Sequence, residues 1–301
     1  MTDLSYLLLN KRAGLTSFET LSPIKKIFNT GKVCHTGTLD KFARGLLVVL
    51  IGRTVKLSSF FLHCDKTYRT LIHFGDETDT LDPEGTVIAS APPPPEDLLA
   101  EALDRFRGTI LQAPPLYSAI HVDGRRAWEI ARSGGAVEMK KRPVTIYGIN
   151  LLSYKNGEAE LEVSCSAGTY LRSLARDIAL AARSRAYLKE LTRSSVGPFL
   201  LDEAVELPPA PFGDPAWSAF KAGALPVDPG LFERLGTPVL YTDRETSRAL
   251  ANGKNIESLR LVPPGGEDGS RLAVFERERN TLAALIRKEK QGWTYAFVGG
   301  E

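Results

Sequence analysis

Residues 34–47 read CHTGTLDKFARGLL, a run in which one carboxylate, Asp40, stands among small residues and two glycines. Small residues allow the backbone to approach a ligand closely, and the basic neighbours Lys41 and Arg44 favour an ionised carboxylate. The apolar stretch Leu46–Ile51 follows at once and predicts a buried strand. A carboxylate in this setting can act as a nucleophile or a general base. It can also cap a helix or a turn, which is the more frequent role of an Asp.

The chain around this segment alternates predicted strands with predicted helices, which indicates an α+β fold. Thr16-Ser-Phe-Glu19 has the form of a capping box and predicts a helix that Pro23 shortens or kinks. Apolar, β-branched and aromatic runs predict strands. The predicted strands are Tyr6–Asn10, Leu46–Ile51, Tyr68–Phe74, Tyr117–Val122, Val144–Leu152 and Ala159–Cys165, and the further helices are Glu96–Phe106 and Tyr170–Ala182.

Two domains are expected, because 301 residues exceed the usual domain size of about 100–150 residues. The proline-rich segment 208–215 marks a break in organisation, since proline fits neither a helix interior nor a strand ladder. We predict a first domain over residues 1–228 and a small β-rich domain over residues 229–301. The elements predicted in the second domain are one helix and three short strands, at Arg244–Ala251 and near Leu272, Leu282 and Trp293.

Composition excludes several classes of protein. With 43% hydrophobic and 25% charged residues, the chain is typical of a globular protein. No apolar stretch approaches the roughly 20 residues that span a bilayer, and the start lacks a signal-peptide pattern, so a cytoplasmic location is expected. Three widely spaced cysteines predict neither disulfides nor a metal site. Four carboxylates fail the spacing of a calcium loop and are interpreted as turn formers: Asp76, Asp79, Asp82 and Glu84.

Charge is distributed unevenly, although the net charge is only +2. Between Lys11 and Lys56 there are nine Lys or Arg residues against two acidic ones, whereas 76–104 holds nine acidic residues and no basic one. Two further basic runs cover Arg125–Arg142 and Arg172–Arg193. Such segregation creates a positive face that can follow a phosphate backbone. Taken alone, the charges are explained equally well as solvated surfaces without a partner.

Five motifs, in order, resemble those of the bacterial tRNA pseudouridine 55 synthases, the TruB family. Residues 34–47 resemble its GHTGTLDPxAxGVL motif, and residues 9–17 (LNKRAGLTS) resemble NKPxGxTS. Residues 66–69 and 75–82 (KTYR and GDETDTLD) resemble KxYRxxxxLGxxTDTxD. The two remaining matches are residues 112–119 (QAPPLYSA) with QxPPxYSA and residues 165–172 (CSAGTYLR) with CSxGTYIR. The resemblance covers about Tyr6–Phe199, and its density excludes chance agreement.

The resemblance implies a fold and an activity. The implied fold is a mixed, mainly antiparallel central sheet of the pseudouridine synthase type, flanked by helices. A PUA-like, RNA-binding C-terminal domain is implied by residues 249–256 (ALANGKNI), which are similar to LxNGxxI. The implied activity is isomerisation of uridine 55 in the T loop of tRNA to pseudouridine, with the base flipped out of its stack. That reaction needs no cofactor and no metal, and we expect a monomer whose partner is the tRNA T stem-loop.

Carried onto this sequence, the resemblance assigns a role to four residues of the implied catalytic pocket. It makes Asp40 the nucleophile and Tyr68 the aromatic residue that packs on the target uracil. Tyr170 and Arg172 shape the pocket, with Arg172 as the ion-pair partner of Asp40. Arginine suits that role because its planar donors hold one carboxylate rotamer without donating a proton.

Two more residues receive roles from the same resemblance. His35 matches a histidine that helps to displace the uridine from the folded T loop, and Leu188 matches a leucine that covers the base. Other interpretations stay open at this point: Tyr68 as a core residue, Arg172 as an exposed helix residue and Leu188 as ordinary helix packing.

The sequence also departs from the family pattern. Arg12 and Lys41 stand where the family motifs have proline, and Arg44 replaces a small polar residue. These departures leave Asp40 in place and bear on loop conformation and RNA contacts.

Two other functions compete with the implied one. A non-catalytic tRNA-binding or tRNA-folding protein would not need Asp40, Tyr68 and Arg172 together. A guide-dependent pseudouridylase shares much of the core, but the chain lacks the lysine-rich extensions of the eukaryotic forms.

Overall fold

A computed structural model describes residues 4–118, 120–122, 124–126, 129–130, 139–209, 215–261 and 267–299. Within these residues the strands form one sheet of eleven strands, one of four and two of two. The strands are β1 (Leu4–Lys11), β2 (Val33–His35), β3 (Arg44–Gly52), β4 (Lys66–Phe74), β5 (Asp76–Thr78), β6 (Val87–Ser90), β7 (Gly108–Gln112), β8 (His121–Val122), β9 (Arg125–Arg126), β10 (Arg142–Lys155), β11 (Glu158–Cys165), β12 (Ala186–Val196), β13 (Phe199–Leu200), β14 (Val205–Glu206), β15 (Leu225–Pro226), β16 (Val239–Thr242), β17 (Arg271–Glu276), β18 (Thr281–Glu289) and β19 (Gly292–Val298).

Short α-helices and three 3₁₀ turns connect the strands within the described residues. The α-helices are α1 (Ser17–Ile27), α2 (Ser58–Leu62), α3 (Glu96–Asp104), α4 (Leu171–Ala181), α5 (Pro215–Ala222), α6 (Pro229–Arg234) and α7 (Arg244–Ala251). The 3₁₀ turns are Arg53–Leu57, Leu201–Glu203 and Glu257–Leu259. None of the described helices is long and apolar enough to cross a membrane.

The large sheet is mixed and mainly antiparallel, which confirms the predicted fold class. Its main path runs β14-β1-β3-β12-β4-β11-β10-β7, and β2, β13 and β15 pair at its sides. Only two pairs along this path are parallel, β1 with β14 and β3 with β12. All the predicted strands of the first domain except Tyr117–Val122 lie within this sheet.

The core of the sheet follows from the alternation of its strands. In β4, Tyr68, Thr70, Ile72 and Phe74 are buried, and the residues between them are more exposed. Helix α4 covers this face, and its Ile178 belongs to the same buried cluster as Ile72 and Phe74. Burial of this apolar surface, at about 25 cal/mol per Å², makes the sheet a rigid base for side chains at its strand ends.

Strand β12 runs through the middle of the sheet but is absent from the sequence-based prediction. It pairs with β3 on one side and with β4 on the other. Lys189 lies between the paired residues Leu188 and Glu190 and has no partner of its own in the β4 ladder, which is the signature of a β-bulge. Beyond the bulge the ladder brings Arg193 opposite Tyr68.

Helix α1 begins at the predicted capping box. The backbone N–H of Glu19 donates to Thr16 Oγ1 at 3.1 Å, and the backbone N–H of Thr16 donates to the Glu19 carboxylate at 2.8 Å. The helix runs past Pro23 and ends at Ile27, so Pro23 does not end it. Its buried Leu21 and Ile24 pack in one cluster with apolar residues of β1 and β3.

The predicted strand Tyr117–Val122 is wrong over its first half. Tyr117 and Ser118 form a bend, Ala119 lies outside the described residues, and only His121–Val122 is a strand. Two prolines precede Tyr117 and cannot donate to a ladder. The Tyr117 carbonyl instead accepts a hydrogen bond from Arg172.

The C-terminal part forms the four-stranded sheet β16-β17-β18-β19 with α7 against it. Helix α7 has the predicted bounds, and β17, β18 and β19 match the three predicted strands. Phe275 of β17 packs edge-on against Phe232 of α6, with ring centroids 5.7 Å apart. Both belong to a buried cluster that includes Tyr6 and Leu50 of the large sheet, so the two sheets share a core. The domain boundary at residue 229 and the PUA-like character stay predictions.

Candidate active site

A cavity of about 950 Å³ lies at one end of the large sheet. Its wall combines the first residues of α1, the loop 37–41, the ends of β4 and β12, the bend at residues 117–118 and the segment that enters α4. Five of the six predicted site residues line it, namely His35, Asp40, Tyr68, Tyr170 and Arg172. The fold therefore gathers residues that are up to 137 positions apart in the sequence.

The loop that carries Asp40 is tied to the start of α1. Ser17 Oγ donates to the Leu39 carbonyl at 3.0 Å and accepts from the Leu39 N–H at 2.9 Å. The Gly14 N–H donates to the Lys41 carbonyl at 2.8 Å. Because hydrogen bonds flank Asp40 on both sides, its backbone is held in one position.

The carboxylate of Asp40 is clamped by Arg172 from the first turn of α4. Arg172 donates from Nε to Oδ2 at 2.8 Å and from Nη2 to Oδ1 at 3.0 Å. The Asp40 side chain is 34% exposed, whereas that of Arg172 is 6% exposed. A ligand in the cavity can therefore reach the carboxylate while the guanidinium fixes its orientation from behind.

Arg172 is itself fully engaged by the loops around it. Its Nη1 donates to the Thr80 carbonyl at 2.8 Å, and its Nη2 also donates to the Tyr117 carbonyl at 3.1 Å. Its Nη1 lies 3.4 Å from Asp82 Oδ2. Burial raises the pKa of the Asp82 carboxyl, and hydrogen bonding to Thr80 and the charge of Arg172 act in the opposite direction. Asp82 is thus a site residue that the sequence analysis treated only as a turn former.

The interpretation of the other acidic residues as turn formers fits Asp79, whereas Asp76 lies in β5 and Glu84 makes an exposed ion pair. Asp79 Oδ1 accepts from the Thr86 N–H at 2.8 Å, and Asp76 Oδ1 accepts from Ser90 Oγ at 2.6 Å. Glu84 pairs with Lys41 at 3.5 Å.

Two tyrosines stand in the cavity wall. Tyr68 is buried at the start of β4, and burial raises the pKa of its phenol. Tyr170 precedes α4, where its N–H donates to Gln112 Oε1 at 2.8 Å. Burial likewise raises the pKa of Tyr170. Both phenols therefore stay protonated at neutral pH and offer apolar ring faces to a planar ligand.

His35 ends β2 and also lines the cavity. Burial lowers the pKa of its imidazole, and the nearby charge of Arg193 lowers it further. Its Nδ1 is buried without a hydrogen-bond partner among the described residues. A neutral imidazole is consistent with a residue that contacts a base by its ring rather than by charge.

Leu188 is the one predicted site residue that lies outside the described cavity lining, which contains Leu191 of the same strand instead. Leu188 pairs with Ile72, deep in the core, whereas Leu191 pairs with Thr70, one step nearer to Tyr68. The β-bulge between them keeps both leucines on the buried face although their spacing is odd. The role of Leu188 stays a prediction, and Leu191 is the leucine of this strand that lines the described cavity.

Three buried cations surround the site, and the sequence analysis missed them. Lys11 and Arg193 are almost fully enclosed, and Lys66 is nearly so. Lys11 Nζ donates to the Arg12 and Leu15 carbonyls at 2.9 and 2.6 Å. Arg193 donates from Nε to the Leu46 carbonyl at 2.7 Å and from Nη2 to the Gly37 carbonyl at 3.1 Å.

Burial also governs the charge state of the lysines. It lowers the pKa of Lys11 to about 8, although the nearby charge of Asp40 acts in the opposite direction. It lowers the pKa of Lys66 as well. The signal in the sequence was a Lys or Arg at the end of an apolar or alternating strand. Lys11 and Arg193 instead fell within the basic runs that were interpreted as a positive face.

The three departures from the family pattern lie at the surface. Arg12 pairs with Glu206 at 3.2 Å, and Arg44 lies 3.6 Å from Glu190. Lys41 faces Glu84, as noted above. Exposed pairs of this kind contribute little stability.

The mixed sheet, with an arginine-held aspartate and two tyrosines in one cavity wall, is the arrangement expected of a pseudouridine synthase, the class that the sequence motifs resemble. Residues 25–171 match the family profile described as TruB family pseudouridylate synthase (N terminal domain). The tRNA pseudouridine synthase B of Borreliella burgdorferi is 49% identical over 203 residues, which are 66% of this chain and 72% of that protein. The tRNA pseudouridine synthase B of Bordetella avium is 48% identical over 205 residues, 67% of this chain and 84% of that protein.

This chain belongs to the TruB family of pseudouridylate synthases. Among solved structures, the crystal structure of a Cbf5-Nop10-Gar1 complex matches with a TM-score of 0.68 at 24% identity. That match covers 98% of this chain and 83% of the other. At such low identity it establishes the likeness of the fold alone.

Proposed function

We propose that this protein is a tRNA pseudouridine synthase that isomerises uridine 55 in the T loop, with Asp40 as its nucleophile. The observation that carries the proposal is the bidentate clamp of Arg172 on an accessible Asp40 carboxylate inside a cavity walled by Tyr68 and Tyr170. The RNA class is supported by the relatives from two bacteria, both named tRNA pseudouridine synthase B.

The reaction rearranges bonds within one nucleotide. The N1–C1′ glycosidic bond breaks, the uracil turns, and a C5–C1′ bond forms. The C5 proton leaves and N1 gains a proton, so substrate and product contain the same atoms and no oxidant or reductant is consumed. Asp40 supplies the nucleophile that opens the rearrangement. Arg172 is a positioning residue, because it holds both carboxylate oxygens and its side chain is only 6% exposed.

A folded T loop hides its target base, so the nucleotide has to flip into the cavity before it reacts. Tyr68 packs on the flipped uracil and replaces part of its lost stacking. An apolar residue covers the base: the resemblance assigns this role to Leu188, and Leu191 of the same strand lies in the described cavity wall. His35, neutral and at the same wall, is suited to take the place that the base leaves.

The pocket serves the chemistry in a second way. A uracil detached from its ribose would diffuse away unless the wall retained it, and exclusion of water strengthens the electrostatic contacts around it. The cavity of about 950 Å³ is large enough for a nucleotide with part of its neighbouring backbone.

The three basic runs supply the charge for RNA binding. Lys11 and Arg193 are buried and serve the site itself, so the RNA contacts fall to the exposed members of these runs. Binding of tRNA should weaken steeply as salt rises, roughly in proportion to the number of phosphates that are neutralised. A tRNA affinity that does not change with salt concentration would show that the basic runs do not contact the RNA.

Two alternatives are weaker on specific observations. A non-catalytic tRNA-binding protein has no need for an accessible carboxylate held by a buried arginine, which costs desolvation energy. A guide-dependent enzyme would require further chains, and the likeness to the Cbf5-Nop10-Gar1 complex extends only to the fold.

The experiment that tests the proposal maps pseudouridine in total tRNA from cells with and without this protein. Purified protein is then incubated with a tRNA transcript in the absence of any guide RNA. We expect pseudouridine at position 55 to be absent from the tRNA of the deletion strain and to form in the transcript in vitro. Unchanged modification in both strains, together with an inactive purified protein, would refute the proposed function.

A further inference from the structure

Two large apolar side chains in the wall of the Asp40 cavity remain exposed. Phe18, the second residue of α1, is 71% exposed, and Leu62, the last residue of α2, is 46% exposed. No other exposed large apolar side chain of the described ranges lines this cavity. Single exposed apolar residues are common on protein surfaces, so exposure by itself carries no function. The position of Phe18 beside the reaction cavity is what requires an explanation.

Phe18 contributes nothing to the core of its own helix. The buried face of α1 consists of Ser17, Thr20, Leu21 and Ile24, whereas Phe18 belongs to the exposed face. Among the described large apolar side chains that are exposed, Phe18 is the most exposed. Replacing it should therefore leave the folding free energy nearly unchanged.

A cation accompanies the exposed ring. Lys25 lies seven residues further along α1, and its Nζ is 5.2 Å from the centroid of the Phe18 ring. A flat aromatic face next to a positive charge offers the two features that single-stranded nucleic acid binds, a stacking surface for a base and a partner for a phosphate. Leu62 cannot stack in the same way because it lacks a π face.

We propose that Phe18 is a stacking platform for an unpaired base adjacent to the target uridine, with Lys25 neutralising a nearby phosphate. The inference rests on the proposed function, because it takes the target uridine to occupy the cavity beside Asp40. The RNA strand on either side of that nucleotide has to leave through the cavity mouth, and Phe18 is the exposed aromatic side chain at its wall. Bases that are splayed out of a folded RNA are commonly held on aromatic side chains.

Three substitutions at this position separate stacking from simple apolar contact. Phe18→Trp keeps a π face, Phe18→Leu keeps apolar surface without one, and Phe18→Ala removes both. A stacked base is worth about 1–3 kcal/mol, which corresponds to an increase of about 5- to 150-fold in Kd. We expect that increase for Phe18→Ala and Phe18→Leu, and a Kd within about 3-fold of wild type for Phe18→Trp.

The matched control is Ile88→Ala, which removes an apolar side chain of 62% exposure from β6, outside the described cavity wall. We expect it to leave both tRNA affinity and stability unchanged. At saturating RNA, the single-turnover rate of Phe18→Ala should fall far less than its affinity, because Phe18 touches no reacting atom.

The contact itself is read out with 2-aminopurine placed on either side of the target uridine. Stacking on the wild-type protein should quench the fluorescence at one of the two positions, and Phe18→Ala should abolish that quenching. If Phe18→Ala binds and modifies tRNA like the wild type, or if Phe18→Leu equals the wild type, the stacking platform is refuted while the proposed function stands. A wild-type protein that neither binds nor modifies tRNA refutes both.

Discussion

Replacing Arg172 by lysine tests whether the two hydrogen bonds from Arg172 to Asp40 are needed for stability and turnover. Lysine keeps the positive charge but has one compact ammonium group in place of a planar fork. It cannot contact both oxygens of Asp40 and at the same time reach the Thr80 and Tyr117 carbonyls, which Arg172 does at 2.8–3.1 Å. Arg172→Lys therefore leaves at least two acceptors in a buried region without a donor.

The expected loss follows from those contacts. A hydrogen bond to a charged group contributes about 1.5–3 kcal/mol, so two lost bonds destabilise the fold by about 3–6 kcal/mol. Asp40 is partly exposed and water compensates some of its loss, which favours the lower end of the range. The freed carboxylate also samples several rotamers, and misplacement of a reacting group by about 1 Å can cost about 100-fold in rate.

The assay combines urea unfolding with single-turnover formation of pseudouridine in a tRNA transcript. The matched control is Arg176→Lys, four residues further along α4, where the arginine pairs with the adjacent Asp177 at 2.8 Å outside the described cavity wall. We expect the control to lose no more than about 1 kcal/mol and to keep its turnover. An Arg172→Lys protein with the stability and turnover of the control would refute the role of the clamp.

Three further predictions concern the surroundings of the site. Gly45→Ala should lower the free energy of unfolding in urea by several kcal/mol, because the φ of Gly45 is +110° and a Cβ would lie 2.4 Å from the Arg193 carbonyl oxygen. Gly14→Ala, with φ +85° and open space around it, should lower it by only about 1–2 kcal/mol. Equal losses in the two variants would contradict the close approach of Gly45 to Arg193. Lys11 has a pKa of about 8 in the folded protein against 10.5 in the unfolded chain, so the unfolded state binds more protons between these values and stability gains up to about 3 kcal/mol as pH rises through them. Lys11→Met lacks this group, so the gain should appear as the difference between wild type and Lys11→Met in unfolding experiments from pH 7.5 to 10, and identical profiles would contradict the burial of a charged lysine. Tyr68→Phe should keep single-turnover activity if the ring only stacks, whereas Tyr68→Ala should lose it, and an active Tyr68→Ala would remove Tyr68 from the site.

Much of the fold could be predicted from local patterns. The apolar run Leu46–Ile51 and the alternation in β4 gave strands at the observed places, and the capping box at Thr16 gave the start of α1. These elements succeed because each is stabilised by its own residues and neighbours. The family motifs then identified Asp40 and Arg172, which sit side by side although they are 132 residues apart.

Strand β12 could not be recognised because its stability comes from its position between β3 and β4. Its sequence mixes Lys189, Glu190 and Arg193 with leucines, and the bulge breaks the two-residue period. The same irregularity places Leu191, rather than the predicted Leu188, in the described cavity wall. Which of two leucines faces a cavity depends on the register across strands, and that register is a tertiary property.

The buried cations show a second limit of sequence reading. Lys11 and Arg193 counted as positive surface charge, but both are enclosed and donate to backbone carbonyls. Their hydrogen-bond partners lie on other segments, so burial of a charge becomes visible only when the segments meet. Asp82 was missed for the same reason, since its contact with Arg172 crosses from a turn to a helix.

The substitution Asp40→Asn tests the proposed mechanism most directly. Asparagine keeps the shape of the side chain and removes the charge that attacks, and Asp76→Asn, in β5 outside the described cavity wall, serves as the control for loss of a carboxylate. Thermal stability and tRNA affinity are measured alongside single-turnover conversion of uridine 55, because Arg172 loses its counter-charge in the variant. We predict a folded, tRNA-binding Asp40→Asn protein whose rate falls by at least about a thousandfold, with the control near wild type. A folded, tRNA-binding Asp40→Asn protein that forms pseudouridine at close to the wild-type rate would contradict the assignment of Asp40 as the nucleophile.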